Sequence, residues 1–195
     1  HRPKHPVRFV TASALFDGHD ASINIMRRIL QSQGAEVIHL GHNRSVAEVV
    51  DAAVDEDVQG VAVSSYQGGH VEYFEYLTES LRERGAGHIK VYGGGGGVIV
   101  PEEIEGLRKA GVTIFSPEDG QRLGLVGMIN TMIEACDTDL WAEGQPTAEA
   151  VRTGDRGALS RAVTGAELGR LDDTFLKQIR EASKASGAPV LGITG

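Results

Sequence analysis

Five times within its first 136 residues the chain passes from a short apolar run into a segment whose apolar residues recur three and four apart, and this alternation leaves few folds open. The first strand is expected over Val7 to Leu15, followed by a helix carrying Ile23, Met26, Ile29 and Leu30 and stopped by Gly34. A second strand follows at Ala35 to Leu40. Ser45 and Glu48 then form a capping-box pattern ahead of Val46, Val49, Val50 and Ala53, which marks a second helix. Gly60 to Ser64 reads as the third strand, Val71 to Arg84 as a helix ending near Gly85, and His88 to Tyr92 as the fourth strand. Pro101 suits the first turn of a fourth helix that ends near Gly111. Val112 to Phe115 and Gln121 to Ala135 complete a fifth strand and a fifth helix.

Parallel strands need crossover helices, and such sheets are covered on both faces. The expectation is therefore an α/β protein built on a doubly wound parallel five-stranded sheet, flavodoxin-like or Rossmann-like, with a C-terminal helical linker. In such sheets ligands bind beyond the carboxyl ends of the strands, near the point where the strand order reverses. Three unusual loops lie at such ends: Asp17-Gly18-His19, Ser64-Ser65-Tyr66-Gln67-Gly68-Gly69-His70, and the run Gly93 to Gly97. They follow the first, third and fourth strands, which are neighbours in the flavodoxin-like order, so His19, Ser64 and Gly96 are expected around one crevice.

Charge narrows the partners. The formal net charge is -8 and basic residues form no cluster, which argues against nucleic acid or an anionic membrane. The single cysteine, Cys136, forms no internal disulfide and fits a reducing, cytoplasmic compartment. A first residue other than Met and an ending at Ile193-Thr194-Gly195 read as a piece of a longer polypeptide. Domain boundaries are expected at 1–136 for the sheet domain, 137–188 for a linker with a helix, and 189–195 for the first strand of a following domain. Asp137 to Gly157 reads as irregular with Trp141 as one anchor, while Thr164 and Glu167 give a capping-box pattern ahead of Leu168, Leu171, Phe175, Leu176 and Ile179.

An imidazole whose far nitrogen donates to a carboxylate is a common way to present a neutral, oriented metal ligand, and Asp17-x-His19 has the spacing for it. Related folds fit these residues less well. A receiver domain needs a phospho-accepting Asp at the third strand end, where Ser64 stands, and a Lys after the fifth, where Ser116-Pro117 stands. A dinucleotide site needs its glycines after the first strand, whereas these follow the fourth. His39, His42 and His88 read as ordinary surface or turn residues.

Taken together, Asp17-x-His19, Ser64-x-Tyr66 and Gly96-Gly97-Val98-Ile99 resemble the D-x-H-x-x-G, S-x-L and G-G pattern of cobalamin-binding domains, in particular those of the fused isobutyryl-CoA mutases within the methylmalonyl-CoA mutase superfamily. The resemblance spans roughly Val7 to Ala135. It implies a module that binds adenosylcobalamin base-off, with His19 as the lower cobalt ligand, Asp17 holding the other ring nitrogen, and Ser64 bonded to the buried benzimidazole. The cofactor-binding set it implies is Asp17, Gly18, His19, Asp20 and Ser22 from the first loop, then Ser64, Ser65, Tyr66, Gly69 and His70. Gly95, Gly96, Gly97 and Val98 follow from the glycine run, and Ser116 and Pro117 from after the fifth strand. No catalytic residue is expected, because the cofactor supplies the radical chemistry.

Two positions depart from the family pattern: Ser22 stands where it has Gly, and Tyr66 where it has Leu. Ser22 suits a helix N-cap, and Tyr66 puts a larger polar-tipped ring near the ligand. By the same resemblance the partners are an acyl-CoA-binding barrel domain and a GTPase chaperone domain in the full-length polypeptide, with a homodimer as the working enzyme. The competing expectation is a non-catalytic corrinoid carrier or cobalamin-dependent sensor.

Overall fold

Strand β1 (Arg8–Ala14) alternates Phe9, Thr11 and Ser13 on one side with Val10, Ala12 and Ala14 on the other, because successive side chains of an extended chain point to opposite faces. With six of its seven residues buried it is an interior strand. In the computed structural model, which describes residues 1–187, 189, 191 and 192, it pairs in parallel with β2 (Glu36–Arg44) and with β3 (Gly60–Ser64). β3 pairs with β4 (Lys90–Gly94) and β4 with β5 (Val112–Ile114), giving the order β2-β1-β3-β4-β5. The expected five-stranded parallel sheet is thus present, with its order reversing between β1 and β3.

Each face of the sheet has its own apolar layer. Val10, Val49, Val61, Phe74, Leu77 and Leu107 pack together where α2 (Val46–Asp55), α3 (His70–Glu83) and α4 (Pro101–Ala110) cover one face. Phe9, Leu30, Ala62, Ile129, Met132 and Ile133 pack where α1 (Ala21–Ser32) and α5 (Pro117–Cys136) cover the other. Each fully buried Phe, Leu or Ile contributes roughly 1.5–3 kcal/mol relative to exposure, so the two layers together fix which face every strand residue joins.

Local signals set most helix starts. Ser45 Oγ accepts from the Glu48 N–H while Glu48 Oε2 accepts from the Ser45 N–H, the reciprocal box expected for α2. Helix α5 starts at Pro117 rather than at the expected Gln121, because Ser116 and Asp119 form a second reciprocal box with Pro117 at the first helical position. Gly124, at φ 64 and ψ 169, interrupts α5. Strand β2 runs four residues beyond the expected Leu40, since its pairing with β1 continues through register shifts that match Ala12 to Gly41 and Ala14 to Arg44.

The chain divides into two units, His1–Leu140 and Trp141–Gly195. Near and within the second lie α6 (Leu140–Glu143), α7 (Ala148–Arg152), α8 (Arg156–Glu167) and α9 (Asp173–Ser186). The stretch expected to be irregular therefore carries helix, because Thr147 Oγ1 caps the N–H of Ala150 and Asp155 Oδ1 that of Ala158. Trp141 does act as an anchor: Gly165 lies so close to its ring that an added Cβ would sit 2.2 Å from it. The capping box expected at Thr164 and Glu167 is absent. Both residues end α8, and α9 starts from Asp172, whose Oδ1 accepts from the Phe175 N–H at 2.7 Å. The strand expected over Pro189 to Gly195 falls on a stretch of which residues 190 and 193–195 lie outside the described ones. Among the described residues no helix is long and apolar enough to cross a membrane.

Candidate functional site

The chain leaves β1 through Phe16, which takes a left-handed φ of 65. Its N–H donates to Asn43 Oδ1 at 2.8 Å, and the Asn43 N–H donates to the Asp17 carbonyl at 3.2 Å. This bracing from the end of β2 turns the Asp17 carboxylate fully inward, at 0% exposure. Oδ1 accepts the His19 N–H and lies 2.8 Å from His19 Nδ1, while Oδ2 accepts the N–H of Tyr66. Burial pushes the Asp17 carboxyl upward, but the N–H groups of Tyr66 and His19 and then the His19 ring more than offset it, so it titrates below its ordinary value. An ionised carboxylate only accepts, so Nδ1 carries the hydrogen, and in the neutral ring the lone pair is then on Nε2. The His19 side chain is 66% exposed, which leaves that lone pair accessible.

The second and third loops are locked to the first. Ser65 donates its N–H to the Gly94 carbonyl at 2.9 Å. An added Cβ at Gly95 would lie 2.3 Å from the Ser65 carbonyl oxygen, and one at Gly96, where φ is +56, would lie 2.7 Å from the Tyr66 ring. Glycine is therefore required at both positions by close approach, and at the second by backbone conformation as well. The Tyr66 ring centroid is 5.6 Å from that of His19. Tyr66 thus touches all three loops: its N–H holds Asp17, its ring lies beside His19, and its edge covers Gly96.

Beneath these loops a cavity of about 280 Å³ opens between the sheet and helices α1 and α5. Strand alternation explains its wall: Ala62, Ser64, Tyr92 and Gly94 point toward the α1 and α5 face, whereas Gly93 abuts Phe74 and Ile114 on the other. Ile23 and Met26 line it from α1, Met128 and Met132 from α5, and Phe115, Ser116 and Pro117 from the β5 end. The lining is mostly apolar with a few convergent hydroxyls, the usual character of a small-molecule pocket. Two details suit a ligand. Ser22 Oγ is buried here without a hydrogen-bond partner, and a Cβ at Gly94 would meet nothing within 4 Å. A buried hydroxyl left unbonded is costly, and a polar group entering the cavity could satisfy it.

Of the residues expected to bind a cofactor, Ser22, Ser64, Tyr66, Gly95, Gly96, Ser116 and Pro117 line this cavity. Asp17, Gly18, His19 and Asp20 form the loop above it, with Asp20 at the start of α1; Ser22 is a residue inside that helix rather than its cap. Ser65 is buried between loops, Gly69 takes φ 82 to start α3, and Gly97 and Val98 continue the glycine run outward. His70 is placed away from the cavity lining. It is buried, with Nδ1 3.2 Å from the Gln67 carbonyl and Nε2 2.9 Å from Glu103 Oε2. His39 sits on β2 with Nδ1 2.9 Å from Thr11 Oγ1, and burial first, then Arg27, lowers its pKa. Sequence reasoning passed over Tyr92, Gly94, Met128 and Met132, and also Ser13, whose hydroxyl lies 2.9 Å from Ser64. Period-two alternation from Ser64 through its β4 neighbours was the signal that could have found Tyr92 and Gly94. Among the described residues no group of three or more His, Cys, Asp or Glu side chains is placed to hold a metal ion.

Residues 7–122 match the family model described as the B12 binding domain. The chain is 67% identical over its whole length to a fused isobutyryl-CoA mutase of Nocardia farcinica, of which it covers 18%, and 57% identical over its whole length to one of Geobacillus kaustophilus, covering 19%. It thus spans about a fifth of the length of these curated relatives. A 2-hydroxyisobutanoyl-CoA mutase small subunit of Aquincola tertiaricarbonis is 33% identical over 67% of this chain and 94% of its own length. Among solved structures, a cobalamin-binding protein from Desulfitobacterium hafniense superposes with a TM-score of 0.55 at 22% identity, covering 67% of this chain and 59% of that one. The monomethylamine corrinoid protein of Methanosarcina barkeri gives 0.53 at 19% identity, with 67% and 58% coverage. These two likenesses establish a shared fold.

Proposed function

The chain belongs to the B12-binding domain family, and from that premise we propose that it is the cobalamin-binding module of an adenosylcobalamin-dependent acyl-CoA mutase, one that interconverts isobutyryl-CoA and n-butyryl-CoA. The observation that carries this is the Asp17 and His19 pair, in which a buried carboxylate holds Nδ1 and an exposed ring keeps Nε2 free. Cobalamin, when bound, supplies the cobalt–carbon bond whose cleavage starts the carbon-skeleton rearrangement. His19 Nε2 would be the lower ligand, and Asp17 would fix its tautomer and raise its basicity. Ser64 and Ser22 would meet polar atoms of a nucleotide tail in the cavity, and Gly94, Gly95 and Gly96 keep the wall free of side chains there. Tyr66 would hold the lower-ligand loop and the cavity rim in one arrangement. The proposed division puts this site in residues 1–136 and a helical linker in 137–188.

Substrate binding would fall to an acyl-CoA-binding barrel domain, and cofactor loading to a GTPase chaperone domain, both elsewhere in a longer polypeptide that works as a homodimer in the cytoplasm. The fused relatives, of which this chain covers 18%, support a longer polypeptide with further domains. The test is the electron paramagnetic resonance spectrum of cob(II)alamin bound to protein carrying ordinary or nitrogen-isotope-labelled histidine. A label-dependent splitting is expected. Tight binding without it would replace histidine ligation by another mode, as in a corrinoid carrier or sensor, and absence of binding would overturn the proposal.

A further inference from the structure

Ser13 on β1 and Ser64 on β3 are partners in the parallel register, both buried, with hydroxyl oxygens 2.9 Å apart. A hydroxyl has one hydrogen and two lone pairs, so the pair can be polarised in either direction and a third group decides which. Ser13 Oγ donates to the His19 carbonyl at 3.4 Å. With that hydrogen spent, Ser64 must donate to Ser13, and only the lone pairs of Ser64 face the cavity it lines. In the opposite polarity Ser13 donates to Ser64, and the hydrogen of Ser64 points into the cavity. The reversal sacrifices a bond longer than the usual range for hydroxyl donors and gains a bond to a ligand, within a chain whose members polarise one another.

Resting on the cobalamin reading, we propose that Ser13 is a positioning residue: by donating to Ser64 when the cavity is filled, it holds the Ser64 hydrogen toward an unprotonated ring nitrogen of the ligand and strengthens that bond, and in doing so releases the His19 carbonyl. The device selects corrinoids whose lower base carries an acceptor nitrogen over those whose base is a phenol. It also links the cavity to the loop that bears His19. Ser13 does not line the cavity and therefore acts only through Ser64.

The experiment measures dissociation constants of the 195-residue chain for cobalamin and for a phenolic cobamide by equilibrium dialysis, using Ser13→Ala, Ser64→Ala, their combination, and Ser13→Thr. One net hydrogen bond corresponds to a loss of about fivefold in cobalamin affinity for Ser13→Ala. The phenolic cobamide should change by less than about twofold, and the combined variant should bind cobalamin no more weakly than Ser64→Ala within the same margin. Ser13→Thr, which keeps the hydroxyl, should restore cobalamin affinity. Ser13→Cys keeps the size and donates weakly, so it should show the same selective loss if Ser13→Ala fails to fold. Equal losses for both cobamides, or losses that add in the combined variant, would reduce Ser13 to a packing residue and overturn the proposal. Wild-type protein that binds neither cobamide would overturn the cobalamin reading itself, an outcome distinct from variants that bind cobalamin as wild type does.

Discussion

Two histidine–carboxylate pairs flank the same end of the sheet with nearly equal spacing, Asp17 with His19 at 2.8 Å and Glu103 with His70 at 2.9 Å, yet their burial is inverted. In the first the carboxylate is sealed at 0% exposure and the imidazole stands 66% exposed; in the second the imidazole is at 8% and the carboxylate at 35%. His19 spends one ring nitrogen inside the protein and leaves the rest of the ring exposed. His70 spends both, one on the Gln67 carbonyl and one on Glu103, which also accepts the Val100 N–H at the start of α4. The Val100 N–H first, and the His70 ring second, hold the Glu103 carboxyl below its ordinary value. A histidine beside a carboxylate is thus open to a ligand or fixed as a brace according to which partner is buried, because only the exposed member can meet anything new.

The sharpest way to break this contrast is His19→Ala, which should abolish the label-dependent splitting of bound cob(II)alamin. Retained splitting would move the lower ligand elsewhere. Asp17→Asn comes next. It keeps the shape of the brace but removes the carboxylate charge facing Nδ1, and loss of such a partner typically weakens metal binding by about 10–100-fold, read as the cobalamin dissociation constant. An unchanged constant would mean that the exposed ring needs no orienting partner.

His70→Ala should do the opposite: lower folding stability by about 2 kcal/mol through lost packing and two lost hydrogen bonds, read from urea midpoints, while the His19 splitting persists. If that splitting vanished while the fold held, the two pairs would not differ in role. The smallest effect is expected at Glu48, a carboxylate remote from both. The Ser45 N–H and hydroxyl, then Arg44, lower its pKa from 4.5 to about 2. Since the folded value lies below the unfolded one, its contribution to stability is complete above pH 4.5 and is lost as the pH falls toward 2. Glu48→Gln should flatten that part of the acid-unfolding curve and leave cobalamin affinity within about twofold, as distant sites act independently.

Much of this arrangement was legible in the residues. The Ser45 and Glu48 box, the Gly34 and Gly111 stops and the five strand-helix alternations involve groups three to five positions apart, so composition and spacing report them directly. Asp17-x-His19 belongs to the same class: its hydrogen bond closes over two residues. Where a local pattern competed with another, the sequence misled. Thr164 and Glu167 have capping-box spacing, but the helix capped by Asp155 had already begun and runs through them. Ser22 has a capping residue's chemistry, but α1 starts at Ala21 and turns the hydroxyl into the cavity wall.

What the sequence by itself determined is a parallel α/β sheet with three chemically unusual loops at its carboxyl end, because periodicity, capping and glycine placement act over a few residues and do not wait for the rest of the chain. Only the tertiary structure decided what those loops do together. The Tyr66 N–H reaches an Asp17 carboxylate 49 positions away, Ser13 meets Ser64 across 51, and His70 is claimed by Glu103 across 33. Such partners are selected by strand register and by which face each side chain joins. The burial that results tells the histidine left free from the one locked in place, and strand order, not local spacing, fixes that burial.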